Sequence, residues 1–76
     1  MFLHVDEAEY ISEYKLKLRF NNNETKRVNL EDELYGEIFE PLKDKTLFQD
    51  FFISHNTVEW RNGADFAPEF LYEIGE

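Results

Sequence analysis

Residues 14–20 read YKLKLRF, and no other stretch of the chain constrains the fold as firmly. Tyr14, Leu16, Leu18 and Phe20 alternate with Lys15, Lys17 and Arg19. Wound into a helix at about 100° per residue, the apolar and basic side chains would mix on every face. In a strand they separate, one set toward a core and the other toward water. NNNE follows, a turn whose asparagines tolerate left-handed backbone. Then TKRVNL, residues 25–30, turns Val28 and Leu30 inward and Arg27 outward, which completes a hairpin. Upstream, Leu3 and Val5 lead a further strand whose chain turns near residues 11–13. The first third is therefore predicted to be a three-stranded antiparallel meander.

Past the hairpin the period changes. Leu30, Leu34, Ile38, Phe39 and Leu42 fall at helix-like spacing. Asn29 can cap this segment, and Glu31, Asp32 and Glu33 suit its first turn. Gly36 weakens it and Pro41 disfavours helical backbone at Glu40, so the helix is short or broken. Asp44 can cap a second turn over residues 45–50 that buries Leu47, Phe48 and Phe51. FFISHNTVEW reads as a second hairpin: Phe51 or Phe52 with Ile53 in one arm, residues 54–56 as the turn, Val58 and Trp60 in the other. Asn62-Gly63 ends it. Pro68 opens a last helix with Glu69 beside it, Phe70, Leu71 and Ile74 supply its apolar stripe, and Gly75 ends it. The expected fold is one small α+β domain over residues 1–76. Its antiparallel sheet, N-terminal meander plus C-terminal hairpin, packs against short helices. Eight Phe, four Tyr and one Trp in 76 residues bury much surface per residue, as a core this small requires. A protein partner or a homodimer would widen its thin stability margin.

The net charge of −9 is unevenly placed. Residues 1–11 carry three acids and no base, residues 12–30 five bases and two acids, residues 31–76 twelve acids and three bases. The chain is an acidic body with one basic ribbon. It has no cysteine, so disulfides, thiol catalysis and thiolate zinc sites are closed to it. That composition suits a reducing compartment. No apolar run approaches a membrane span, and the opening MFLHVDEAEY lacks a basic leader region, so a cytoplasmic location away from membranes is expected.

Catalytic constellations are sparse. Ser54 and His55 are adjacent, but neighbours in a strand face opposite ways and in a turn both face water, so no dyad is expected. With Gly36, Gly63 and Gly75 as the only glycines, no phosphate loop or dinucleotide pattern exists. His4 and His55 are far apart, and Glu31-Asp32-Glu33 lacks the alternating ligands of a calcium loop. No catalytic residue, metal or cofactor is expected. Three groups remain for binding. Trp60, Arg61, Asp65, Glu69 and Tyr72 could line a pocket roofed by the two large aromatics. Turn and cap chemistry accounts for each of them equally: Trp60 as core, Asp65 satisfying backbone or Arg61 near a helix start. Lys15, Lys17, Arg19 and Arg27 share an exposed sheet face, ordinarily solvated and protective of edges. As a ribbon it could enter a major groove, but the acidic net charge opposes nucleic-acid binding by the domain alone. Finally, Glu33, Glu37, Glu40 and Asp44 recur at four, three and four, an acid row interrupted by Pro41.

The segments DEAEYISEYKLKLRF, VNLEDELYGEIFEPLKDKTLF, FISHNTVEW and NGADFAPEFLY resemble, in this order, the small bacterial family known as domain of unknown function 2442. The residues that carry the resemblance are Tyr14, Phe20, Leu30, Phe39, Pro41, Leu42, Asp44, Phe48, Trp60, Gly63, Asp65, Pro68, Glu69, Leu71 and Tyr72. They cover nearly the whole chain, and the C-terminal string is the most specific. The resemblance implies a compact α+β fold with a twisted antiparallel sheet on short helices. It also implies a context, since such domains commonly lie beside a second small family in a toxin–antitoxin-like pair. Some precede a helix-turn-helix domain, which this sequence lacks. The expected function is a non-enzymatic module that binds a basic protein partner in an antitoxin-like role. Glu31, Asp32, Glu33, Glu37, Glu40 and Asp44 would form its docking surface. The alternatives are an acidic nucleic-acid mimic that occupies a nucleic-acid-binding protein, and a regulator touching nucleic acid through Lys15, Lys17, Arg19 and Arg27.

Overall fold

In a computed structural model, which describes residues 2–76, the alternating stretch is the central strand of the expected meander. Strands β1 (Val5–Ser12), β2 (Lys15–Phe20) and β3 (Thr25–Asn29) pair antiparallel in that order. Leu16 lies between Tyr10 and Val28, and Leu18 between Ala8 and Lys26. Leu16, Leu18, Phe20 and Val28 are buried while Lys15 and Lys17 are exposed, so the period-two pattern is realised face by face. Glu13 (φ 48°) and Asn23 (φ 70°) take the left-handed backbone that tight turns demand. On the outer edge of β3, Arg27 exchanges two backbone hydrogen bonds of 3.3 and 2.9 Å with Glu76.

The helix expected from Leu30 to Leu42 resolves into two 3-10 turns, Glu31–Glu33 and Glu40–Lys43, separated by a bend. Gly36 sits in that bend at φ +89°, a conformation that ends helical propagation. Leu30, Leu34 and Leu42 still reach the core. Asn29 Oδ1 accepts the Glu31 N–H at 3.0 Å and so opens the first turn. Asp44 caps α1 (Lys45–Phe48) by accepting the Thr46 N–H at 2.9 Å. Of the side chains expected to be buried here, Phe48 is, Phe51 is half-buried, and Leu47 is 47% exposed. A single helical turn presents only one side to the core, and Phe48 occupies it.

Strands β4 (Phe51–Ser54) and β5 (Thr57–Trp60) form the second hairpin through His55 and Asn56, both at positive φ (51° and 70°). A two-residue turn of this hand matches the strands' own twist. Helix α2 (Pro68–Ile74) starts at its proline and packs Leu71 into the core. Lys26, on the inner face of β3 two residues before Val28, places its ammonium 3.8 Å from the centroid of the Tyr72 ring and donates to the Tyr72 carbonyl at 2.9 Å. Gly75 passes so close that a Cβ there would lie 2.9 Å from the Lys26 Cβ.

A chain of aromatic contacts runs through the core. Tyr14 meets Phe48 at 5.3 Å between centroids, Phe48 meets Trp60 at 5.6 Å, and Trp60 meets Phe66 at 5.9 Å. Phe66 then stacks between Phe39 (4.6 Å) and Phe70 (5.7 Å). Trp60 is 1% exposed, and its indole N–H donates to the Phe48 carbonyl at 2.7 Å. The buried Thr57 hydroxyl donates to the Phe66 carbonyl at 2.6 Å. No buried side-chain polar atom is left without a partner among the described residues.

Candidate functional site

The pocket envisaged between Trp60 and Tyr72 does not form. Trp60 packs on Phe48, Phe51 and Phe66, whereas Tyr72 packs edge-on against Phe20 at 5.2 Å and donates its hydroxyl to Glu24. That hydrogen bond to a carboxylate holds the Tyr72 phenol above its ordinary pKa. Arg61 turns to Asp50 (3.3 Å) instead of Asp65. A cavity of about 150 Å³ does touch Trp60 and Arg61, but Pro41, Leu42, Leu47, Asp50 and Asn62 complete it, without Asp65, Glu69 or Tyr72. Asn62 ties this corner down: its side chain accepts from Ala64 N–H at 3.1 Å and donates to the Ile38 carbonyl at 2.7 Å. Gly63 turns at φ +89°. Trp60, Asn62 and Gly63 build the fold at this corner, whereas Asp65 and Glu69 are exposed and form no ion pair among the described residues.

The basic face is less basic than its sequence. Across it, β1 sets Glu7 opposite Arg19 and Glu9 opposite Lys17. The Arg19 guanidinium lies 3.0 Å from Glu7 and 3.7 Å from Asp6. Its hydrogen bond and charge hold the Glu7 carboxyl below the usual carboxylate value, and Arg19 is raised in turn. Lys15, Lys17 and Arg27 form no ion pair among the described residues. The fifth base of this region, Lys26, points the other way.

Ser54 and His55 are in contact, contrary to expectation: Ser54 Oγ lies 3.0 Å from His55 Nδ1. The left-handed backbone at His55 folds the imidazole back toward its neighbour. The same Nδ1 also faces the Glu59 carboxylate at 3.5 Å. A Ser–His–acid relay needs the hydroxyl on one ring nitrogen and the acid on the other. Here both lie on one nitrogen, and the imidazole stands exposed in the turn. Among the described residues no group of three or more His, Asp or Glu is placed to hold a metal.

The acidic segment has a different character. Glu31, Asp32, Glu37, Glu40 and Asp44 are exposed and Glu33 is half-buried. Of the six, only Glu40 forms an ion pair among the described residues, at 3.4 Å to Lys43. Between them Tyr35 is 70% and Ile38 45% exposed. Beside Tyr35 runs a shallow groove of about 310 Å³, floored by Phe39, Phe66 and Phe70 and bordered by Glu33 and Asp65. The sequence places Phe39 and Phe70 on apolar stripes and Asp65 in a pocket with Trp60 or near a helix start, and nothing in it joins them to Glu33. Their meeting depends on the bend at Gly36 and the route of residues 61–67, neither of which carries a periodic signal.

The family model described as Protein of unknown function (DUF2442) matches residues 5–76, and the chain belongs to that family. No curated protein and no solved structure matches the chain.

Proposed function

We propose that this member of the family is a non-enzymatic module that binds a basic protein partner through the surface of residues 31–44, in the antitoxin-like role that its gene-pair resemblance implies. One observation carries the reading: Tyr35 and Ile38 stand in water among six carboxylates of which only Glu40, beside Lys43, has a counter-charge among the described residues. Single exposed apolar residues are ordinary, but a large aromatic and an aliphatic three residues apart on one charged surface point to an interaction site. Apolar groups exposed between unpaired charges describe an interface with an aromatic centre and a polar rim. The acids also give the domain a field that accelerates encounter with a cationic protein.

Two further features support this reading over its alternatives. Arg19, centrally placed on the sheet face, is held by Glu7 and Asp6, so a nucleic acid would have to displace those carboxylates. Glu33 and Glu40 lie on separate 3-10 turns, with Glu37 between them and Asp44 after the second, so these acids do not line one helix face as a mimic of a phosphate backbone would require. Among the described residues no helix is long and apolar enough to cross a membrane. A cytoplasmic location completes the proposal. The test is capture on the immobilised domain, followed by identification of what is retained. A basic protein retained by the domain, and lost when Tyr35→Ala and Ile38→Ala are combined, supports the reading. Retention that ignores these two residues refutes it.

A further inference from the structure

We infer that the groove beside Tyr35 is a receptor for a single arginine side chain presented by the partner. This rests on the reading above and specifies the group that the acidic surface would recognise. The lining joins two features that suit a planar cation. Phe39, Phe66 and Phe70 stack at 4.6 and 5.7 Å with interplanar angles of 21° and 20°, and Tyr35 stands exposed beside them. Stacking covers both faces of Phe66, so the ring left open for a guanidinium to lie against is that of Tyr35, whose face carries negative potential. Glu33 and Asp65 border the same groove, and neither is in an ion pair among the described residues.

No lysine or arginine lines the groove. The three bases of residues 31–76 are engaged elsewhere: Lys43 with Glu40, Lys45 with Glu13, Arg61 with Asp50. With no base of the domain lining the groove, a counter-charge for Glu33 and Asp65 would be supplied by a ligand. At about 310 Å³ the groove lies at the lower end of the roughly 300–1,000 Å³ of small-ligand sites, a size that suits a side chain better than a cofactor. Arginine fits better than lysine, because its flat guanidinium can stack on rings while its edge N–H groups donate to carboxylates. The carboxylates also exclude the nearest competitor for an aromatic floor, a stacked nucleobase, whose phosphates they would repel. The contact between Phe66 and the buried Trp60 seats this floor on the core.

The experiment titrates the labelled domain with three blocked tripeptides, acetyl-Ala-X-Ala-amide, where X is arginine, lysine or citrulline, and follows the aromatic signals by NMR. Citrulline keeps the shape of arginine and removes its charge. The inference predicts saturable shifts of Tyr35, Phe39, Phe66 and Phe70 with the arginine peptide, roughly tenfold weaker binding of citrulline, and lysine in between. Combining Glu33→Gln with Asp65→Asn should weaken the arginine peptide by a similar factor while leaving the far-UV circular dichroism unchanged. Equal binding of arginine and citrulline overturns the inference, as does the absence of saturable shifts at tens of millimolar. Loss of peptide binding with partner capture still dependent on Tyr35 and Ile38 would sink the arginine receptor and leave the binding function standing. Peptide binding in the groove with no basic partner captured would separate the two the other way.

Discussion

Replacing Trp60 by phenylalanine tests the core on which both surfaces depend. Trp60 is 1% exposed, and a buried tryptophan removes about 150–250 Å² from water, or about 4–6 kcal/mol at 25 cal/mol per Å². Truncation to alanine should cost about 3–5 kcal/mol. A 76-residue domain at about 0.05–0.15 kcal/mol per residue has only about 4–11 kcal/mol in total, so Trp60→Ala brings it close to unfolding. Trp60→Phe is more informative. It keeps a ring against Phe48, Phe51 and Phe66 but removes the indole N–H that donates to the Phe48 carbonyl at 2.7 Å. Leaving that buried carbonyl without a donor costs about 1–3 kcal/mol. With a slope near 1 kcal/mol per molar urea, the midpoint should fall by about 1 M or more. Far-UV circular dichroism must report the transition, because the variant loses the only tryptophan. An unchanged midpoint would refute the reasoning. So would a Trp60→Ala domain that melts like the parent and loses only its partner, since Trp60 would then be a contact residue.

Gly75→Ala should destabilise the docking of α2, because the new Cβ would meet the Lys26 Cβ at 2.9 Å; a melting temperature at or above the parent's would contradict that packing. Acid should weaken the domain in part through Glu7 and Glu13, whose pKa values are lowered by hydrogen bonds and charge from Arg19 and Lys45. With the folded pKa depressed, each pair stabilises fully above the unfolded pKa and is lost as pH falls through the folded one. Combining Glu7→Gln with Glu13→Gln should therefore flatten melting temperature against pH on the acid side, and an unaltered slope would show that the pairs do nothing. No turnover of esters, phosphoesters or nucleotides is expected; a sustained rate abolished by Ser54→Ala or His55→Ala would show that the contact between them is catalytic.

What the sequence disclosed tracks the physics of each signal. Tyr14 to Phe20 has a two-residue period that only a strand satisfies, and its burial pattern follows residue by residue. Pro68, Asn62-Gly63 and Asp44 are local devices, and each acts where it stands in the sequence. The spacing of residues 30–42 is helix-like, but Gly36 and Pro41 mark it as short or broken, and three leucines reach the core from two 3-10 turns and a bend. Lys26 sits at an inward position of a strand where alternation predicts an apolar residue, and only the Tyr72 ring across from it explains a lysine there. The failed Trp60–Tyr72 pocket has the same origin, since twelve residues of separation say nothing about which side of the core each ring joins. The groove was invisible for that reason: Glu33 and Asp65 meet through chain routing.

The central claim is that the surface of residues 31–44 docks a basic protein, and charge reversal at two ionic strengths tests it most directly. Glu33→Lys with Glu37→Lys makes one variant, and Lys15→Glu with Lys17→Glu the other; all four side chains are free of ion pairs among the described residues. Charges at the rim of an interface act mainly on association rate and its salt dependence. The account predicts that the acidic-surface variant associates more slowly with the captured partner and loses most of its salt dependence, while the sheet-face variant associates like the parent. Normal association of the first and failure of the second would place the interface on the sheet and contradict the account.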